Sequence, residues 1–276
     1  MLHWMRPLVF FSLFVCMVTI ATTAPWAAAP RQYFPVYEAM LFSGAPNFAG
    51  YGIRHLRIVD SHELWKPGGD TKAVPDVEQI NKIVTTPPGV GNLLAIDIEE
   101  WGFDAESVRK YIQTLDRIRS AAPNWRLGLY GVLPDRDYWR AIKPPNDPEY
   151  RNWQIGNDRA ALIAAHVDVL FPSLYTFYPD QDGWVRYAVA NLREARRLAQ
   201  GKPVYCFLWM QYHDSSDFAH QLLKADYWRR ELETCRQFAD GVVIWGGFTL
   251  NGGKFQQLPW DENAPWWRGT LEFLKN

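Results

Sequence analysis

Seven apolar runs of strand length, most of the later ones followed by a stretch of helical periodicity, restrict what this chain can fold into. The runs are Tyr33 to Phe42, Leu56 to Val59, Leu93 to Trp101, Arg126 to Val132, Val167 to Tyr175, Pro203 to Trp209 and Gly241 to Trp245. Strands that alternate with helices at intervals of about 30 to 40 residues pair in parallel and carry their helices on the outside. The expected fold class is therefore α/β, a distorted TIM-like barrel of seven or eight parallel strands, with an open doubly wound sheet as the alternative. Helices are expected from Asp104, as N-cap, to Ala121, from Arg151 to His166, from Trp184 to Gln200 and from Leu222 to Ala239. Pro134 to Pro148, rich in proline and charge, reads as a long loop, and Gln211 to Asp217 as a polar one.

In both candidate architectures ligands bind at the carboxyl ends of the strands, so the residues delivered there matter most. The third run ends Ile96-Asp97-Ile98-Glu99-Glu100-Trp101. Successive side chains of a strand face opposite ways, which puts Asp97 and Glu99 on one side. Two carboxylates at one mouth raise each other's proton affinity, and a carboxyl kept protonated near neutral pH can act as a general acid. A second copy of the pattern, Asp76-Val77-Glu78, follows Pro75 in a polar stretch and reads as the first turn of a helix, where acids favour the helix dipole.

The other strands deliver aromatics. Tyr130 comes from the fourth, Ser173 and Tyr175 from the fifth, Trp209 with Tyr212 just beyond from the sixth, and Trp245 from the seventh, while Trp101 follows the acid pair. Flat apolar faces with hydroxyls beside them suit a sugar, and 14 Trp and 13 Tyr supply them in quantity, although aromatics fill cores equally well. Other chemistries find less support. His62, in Asp60-Ser61-His62-Glu63, would have to join Asp97 and Glu99 to make a metal-dependent hydrolase, and no HxH or HExxH spacing accompanies it. Ser173 lacks a glycine-flanked nucleophile turn, and neither Gly68-Gly69 nor Gly252-Gly253 has the spacing of a phosphate loop. No metal and no cofactor is expected.

Residues 1–29 have the layout of a secretory signal: Arg6, an apolar run from Leu8 to Ile20, and Ala27-Ala28-Ala29. The apolar run is short for a bilayer span, and retention as an uncleaved anchor is the alternative. Export makes the protein secreted or periplasmic, with residues 30–276 as a single domain and a monomer expected. Lys and Arg number 29 against 30 Asp and Glu with no basic run, which gives no footprint for nucleic acid. Beyond the signal only Cys206 and Cys235 remain, and both read as small buried hydrophobes in preference to a bridge.

From Asn92 to Gly247 the chain resembles the hyaluronidase family of glycoside hydrolases. The resemblance rests on Ile96-Asp97-Ile98-Glu99-Glu100-Trp101, Asn124-Trp125, Phe171-Pro172-Ser173-Leu174-Tyr175, Lys202-Pro203-Val204-Tyr205 and Gly241-Val242-Val243-Ile244-Trp245-Gly246, in the family's order. It implies a distorted (β/α)7 barrel and a retaining, substrate-assisted hydrolysis of an N-acetylhexosamine-containing polysaccharide. Glu99 would be the acid and base, and Asp97 would stabilise the sugar's acetamido group. Tyr175 would bond the acetamido oxygen and Trp245 would wall its methyl. Trp209 stands where the family often has tyrosine, with Tyr212 as a substitute, and the disulfides of the animal members are missing. Arg126, Arg136, Arg140 and Lys143 are the basic candidates for a groove that takes a polyanion. A carbohydrate-binding barrel without turnover is the alternative from another class.

Overall fold

The computed structural model describes residues 33–275, so the expected signal at 1–29 lies outside the described residues. β1 (Val36–Met40) pairs in parallel with β2 (Arg54–His55) on one side and with β7 (Gly241–Gly246) on the other. Past Leu56, whose N–H donates to the Glu38 carbonyl at 2.8 Å, β2 runs on into β3 (Arg57–Val59). β3 pairs with β4 (Leu93–Ile96), β4 with β5 (Arg126–Leu129), and β6 (Tyr205–Trp209) with β7, all in parallel.

Between β5 and β6 the ladder passes through residues 168–176, which touch both neighbours by isolated parallel bridges: Tyr130 with Phe171, Leu170 with Val204, and Ser173 with Phe207. Pairing thus runs round a seven-membered parallel barrel whose fifth member is irregular. The regular strand expected from Val167 to Tyr175 does not form. Pro172 in its middle has no N–H to give the ladder, although its carbonyl still accepts from Phe207 at 2.9 Å. Gly128 opposite is required by the same packing, since a Cβ there would lie 2.4 Å from the Phe171 ring.

Helices clothe the barrel: α1 (Ser61–Leu64), α2 (Val77–Val84), α3 (Ala105–Ala121), α4 (Pro148–Ala160), α5 (Gln181–Ala199), α6 (Ala225–Phe238) and α7 (Pro265–Lys275). Asp104 caps α3 through the amides of Glu106 and Ser107, and Asp76 caps α2, so the second Asp-x-Glu copy serves a helix start. α4 begins three residues before the expected Arg151, because Asp147 caps it and Pro148 sits in its first turn. Its expected last turn, Ala161–His166, is a 3-10 helix.

β4 is buried along its whole length, as a central parallel strand with both faces covered should be. After β7 the chain adds an antiparallel hairpin, β8 (Phe248–Asn251) and β9 (Lys254–Gln257), which the sequence reading did not include. Cys206 and Cys235 are both free and buried. Among the described residues no helix is long and apolar enough to cross a membrane.

Candidate active site

Everything of interest lies where the parallel strands end. The Asp97 N–H makes the next ladder bond beyond β4, to the Val59 carbonyl at 2.8 Å. That bond fixes the carboxyl at the barrel mouth, where its Oδ1 is buried and has no hydrogen-bond partner among the described residues. Burial, followed by the charges of Glu99, Asp60 and Glu100, pushes the Asp97 pKa from 3.8 up to about 7. Ile98 turns into the core and the exposed Glu99 turns out.

Glu99 opens on a cavity of about 160 Å³, with Trp101, Tyr130, Asp135, Arg136 and Ser173 among its walls. Asp97 does not line that cavity and meets Glu99 through charge alone.

Beside the cavity stands a cluster of rings. Tyr175 stacks on Trp245 with centroids 5.5 Å apart and planes at 9°, and Trp209 meets them edge-on at 5.4 and 4.9 Å. Tyr130 closes the cluster 5.8 Å from Tyr175, and its hydroxyl shares a 2.9 Å hydrogen bond with Ser173 Oγ. Burial raises the pKa of Tyr130 and of Tyr175, so both hydroxyls stay neutral and able to donate.

Of the two remaining expected sugar contacts, Trp101 walls the cavity from within the core and Tyr212 sits elsewhere. Trp101 is buried against Trp65 and Tyr111, with its indole N–H given to the Thr71 carbonyl at 2.8 Å. Tyr212 faces Phe218 and Tyr227, away from the cluster. Its neighbour His213 takes the inward place, with its ring 4.6 Å from Phe177 and 5.9 Å from Trp209. Burial, with Arg136 and His220 close by, pulls the His213 pKa below 6.5 against the opposing pull of Asp214.

Gln211 stands at the start of what reads in sequence as a polar loop, yet it is fully buried. Its Oε1 accepts from Trp209 Nε1 at 3.1 Å and from the Gly247 N–H at 2.8 Å, while Nε2 donates to the carbonyls of His220 and Phe248 at 2.7 Å each. One amide thus ties the ends of β6 and β7 together. The adjoining Gly246, at φ 119°, leaves room for the Trp209 indole, which a Cβ would meet at 2.3 Å.

Of the four basic candidates only Arg136 reaches the cavity. Arg126 opens β5 and so lies at the opposite end of the barrel. Arg140 is held by Asp137 at 2.6 Å and Asp135 at 3.3 Å, and Lys143 by Glu149 and Asp147. Arg136 donates to Ser173 Oγ at 3.2 Å and lies over the Phe177 and Tyr175 rings at 5.1 and 5.9 Å. No carboxylate among the described residues forms an ion pair with it. Burial works against its charge, but Tyr187, Tyr130, Tyr175 and Glu99 outweigh this and its pKa is raised.

His62 is exposed on α1 beside Asp60, and no group of three His, Cys, Asp or Glu side chains among the described residues is placed to hold a metal ion.

No family model matches the chain, and no curated protein matches it by sequence. Solved structures do match. Bee venom hyaluronidase superposes with a TM-score of 0.60 at 17% identity, over 78% of this chain and 91% of that one. The fold is hyaluronidase-like. A second structure, of bee venom hyaluronidase in complex with a hyaluronic acid tetramer, gives a TM-score of 0.56 at 17% identity over 88% and 95% of the two chains.

In this hyaluronidase-like barrel two features, His213 and Gln211, lay beyond what the sequence encodes. Asp60 was legible at the end of the second run, and its carboxylate caps α1 through the amides of His62 and Glu63 while its charge reaches Asp97. His213 and Gln211 carried no such signal, because their roles depend on a loop whose path only the fold determines.

Proposed function

We propose that this chain is an exported endo-acting glycosidase of a hyaluronan-like polysaccharide, hydrolysing at N-acetylhexosamine units with retention of configuration. The observation that carries the proposal is the acid pair at the end of β4. One carboxyl, Glu99, is open to a cavity, and the other, Asp97, is half-buried beside it in surroundings that resist its ionisation. The hyaluronic acid tetramer bound by the bee enzyme supports the substrate class, and so does Arg136, the one cation of the cavity among the described residues, which forms no ion pair with a carboxylate there.

In this reading Glu99 gives its proton to the glycosidic oxygen as the C1–O bond breaks. The carbonyl oxygen of the sugar's own 2-acetamido group attacks C1, forming a cyclic intermediate that carries positive charge. Glu99, now a carboxylate, takes a proton from water as the water adds to C1, which reopens the ring and restores the acid. Asp97 contributes through its discomfort. Its surroundings resist its ionisation, and the ionised carboxyl gains most when a positive charge develops next to it, so the cost of that charge becomes transition-state stabilisation.

Reducing-end release from hyaluronan tests the assignment. Glu99→Gln should lower turnover by about 10²-fold or more while leaving the fold unchanged. Undiminished turnover in that variant overturns the role of Glu99, and binding without new reducing ends in the parent chain means a lectin-like barrel.

A further inference from the structure

We propose that Trp139 and Tyr178 form a remote sugar-binding platform that stacks a polysaccharide unit some distance along the chain from the bond at Glu99. This rests on the glycosidase reading. Both residues are large and apolar yet far from buried, with Trp139 57% and Tyr178 42% exposed. They belong to the loops that follow β5 and the irregular fifth member, on the same rim of the barrel as Glu99. Their rings lie 5.7 Å apart, and Tyr138 supports both at 4.8 and 5.1 Å while stacking on the buried Tyr187 beneath.

The platform is continuous with the cavity. Arg136 covers the faces of Tyr175 and Phe177, and Phe177 in turn lies 6.4 Å from Tyr178 and 6.5 Å from Tyr138. Rings therefore line a path from the acid pair outward to Trp139, the direction in which a polymer leaving the cavity would run.

An exposed aromatic pair on a slack loop would carry little meaning, but this loop is held firmly. The Asp135 N–H donates to the buried Asn157 side chain at 2.9 Å, and the Trp153 indole donates to the Asp135 carbonyl at 2.8 Å. Buried Asn191 gives its amide to the Asp137 carbonyl at 2.9 Å, and the Asp137 carboxylate clasps Arg140. On the other loop the Tyr227 hydroxyl donates to the Tyr178 carbonyl at 3.0 Å. Several buried polar groups thus hold in place a tip that leaves much of its Trp139 and Tyr178 surface open. A surface ordered before its ligand arrives binds without a further ordering cost.

The test measures binding in the full chain carrying Glu99→Gln, with a hyaluronan tetramer and a hyaluronan chain of roughly twelve sugars as probes. Trp139→Ala and, separately, Tyr178→Ala should each weaken binding of the long chain by about tenfold while leaving the tetramer's affinity unchanged. Circular dichroism is expected to be unaltered, since both side chains are exposed. Equal losses for the two probes, or no loss for either, overturn the platform and leave the glycosidase reading intact. Failure of both probes to bind the parent chain overturns the platform together with the reading it rests on.

Discussion

Asp97→Asn should make this protein more stable as it makes it inactive. The Asp97 carboxyl has a pKa of about 7 in the folded chain against an ordinary 3.8, so the folded state holds its proton over a range where the unfolded state has lost it. Folding stability then falls as pH rises from about 4 to about 7, because over that window the folded chain binds more protons than the unfolded one. Below the window both states are neutral and the cost is absent; above it the cost is complete. The full difference corresponds to about 4 kcal/mol, and Asp97 is partly exposed, so solvent screening brings the expected cost nearer 2 kcal/mol. Asparagine takes no proton and cannot carry the charge. Urea titrations of both proteins at a series of pH values should give coincident midpoints near pH 4 that diverge up to pH 7 and stay apart above it. Near neutral pH the variant should melt roughly 4 to 8 °C higher, while reducing-end release collapses. A stability difference that does not change with pH, or a variant less stable than its parent at pH 8, would refute the electrostatic account of the site.

Two further substitutions probe the surroundings. Gln211→Leu removes all four hydrogen bonds of the Gln211 amide and leaves the Trp209 indole and three backbone groups without those partners. At about 1 kcal/mol or more for each buried group abandoned, urea unfolding should show a loss of at least 3 kcal/mol; a loss below 1 kcal/mol would mean that water replaces the amide. Arg136→Gln should raise the KM for hyaluronan fragments by about tenfold, the worth of one charge-assisted contact, with little change for neutral chitin oligomers. Equal effects on both substrates would show that Arg136 serves the ring cluster and reads no charge.

What the sequence made legible is what periodicity and strand ends encode. The runs at Leu93, Arg126, Pro203 and Gly241 became β4 to β7, and Asp104 and Asp76 capped the helices their positions implied. The acid pair stood out because a buried strand that turns acidic at its end has little else to do with the charges. Resolution was lost wherever two distant segments decide together. Val167 to Tyr175 has the composition of a strand, but Pro172 withholds a donor and Phe171 needs the space above Gly128, so only isolated bridges form. Tyr212 and His213 are adjacent, and which of them faces inward depends on the register with which their loop rejoins β6. Composition is silent on such a choice.

The basic residues show the same limit from the side of charge. Arg126, Arg136, Arg140 and Lys143 look equivalent as letters, and any of them could line an anionic groove. In the fold, Arg140 and Lys143 spend their charge on carboxylates within ten residues of themselves, and Arg126 sits at the far end of the barrel. Arg136 is left with aromatic faces and a serine hydroxyl, an arrangement that keeps it charged without neutralising it. A cation so placed beside two carboxylates, one of them already resisting ionisation, gives the mouth of the barrel regions of opposite sign. An acidic sugar would be drawn toward Arg136 and away from the exposed carboxylates at Glu99 and Glu100.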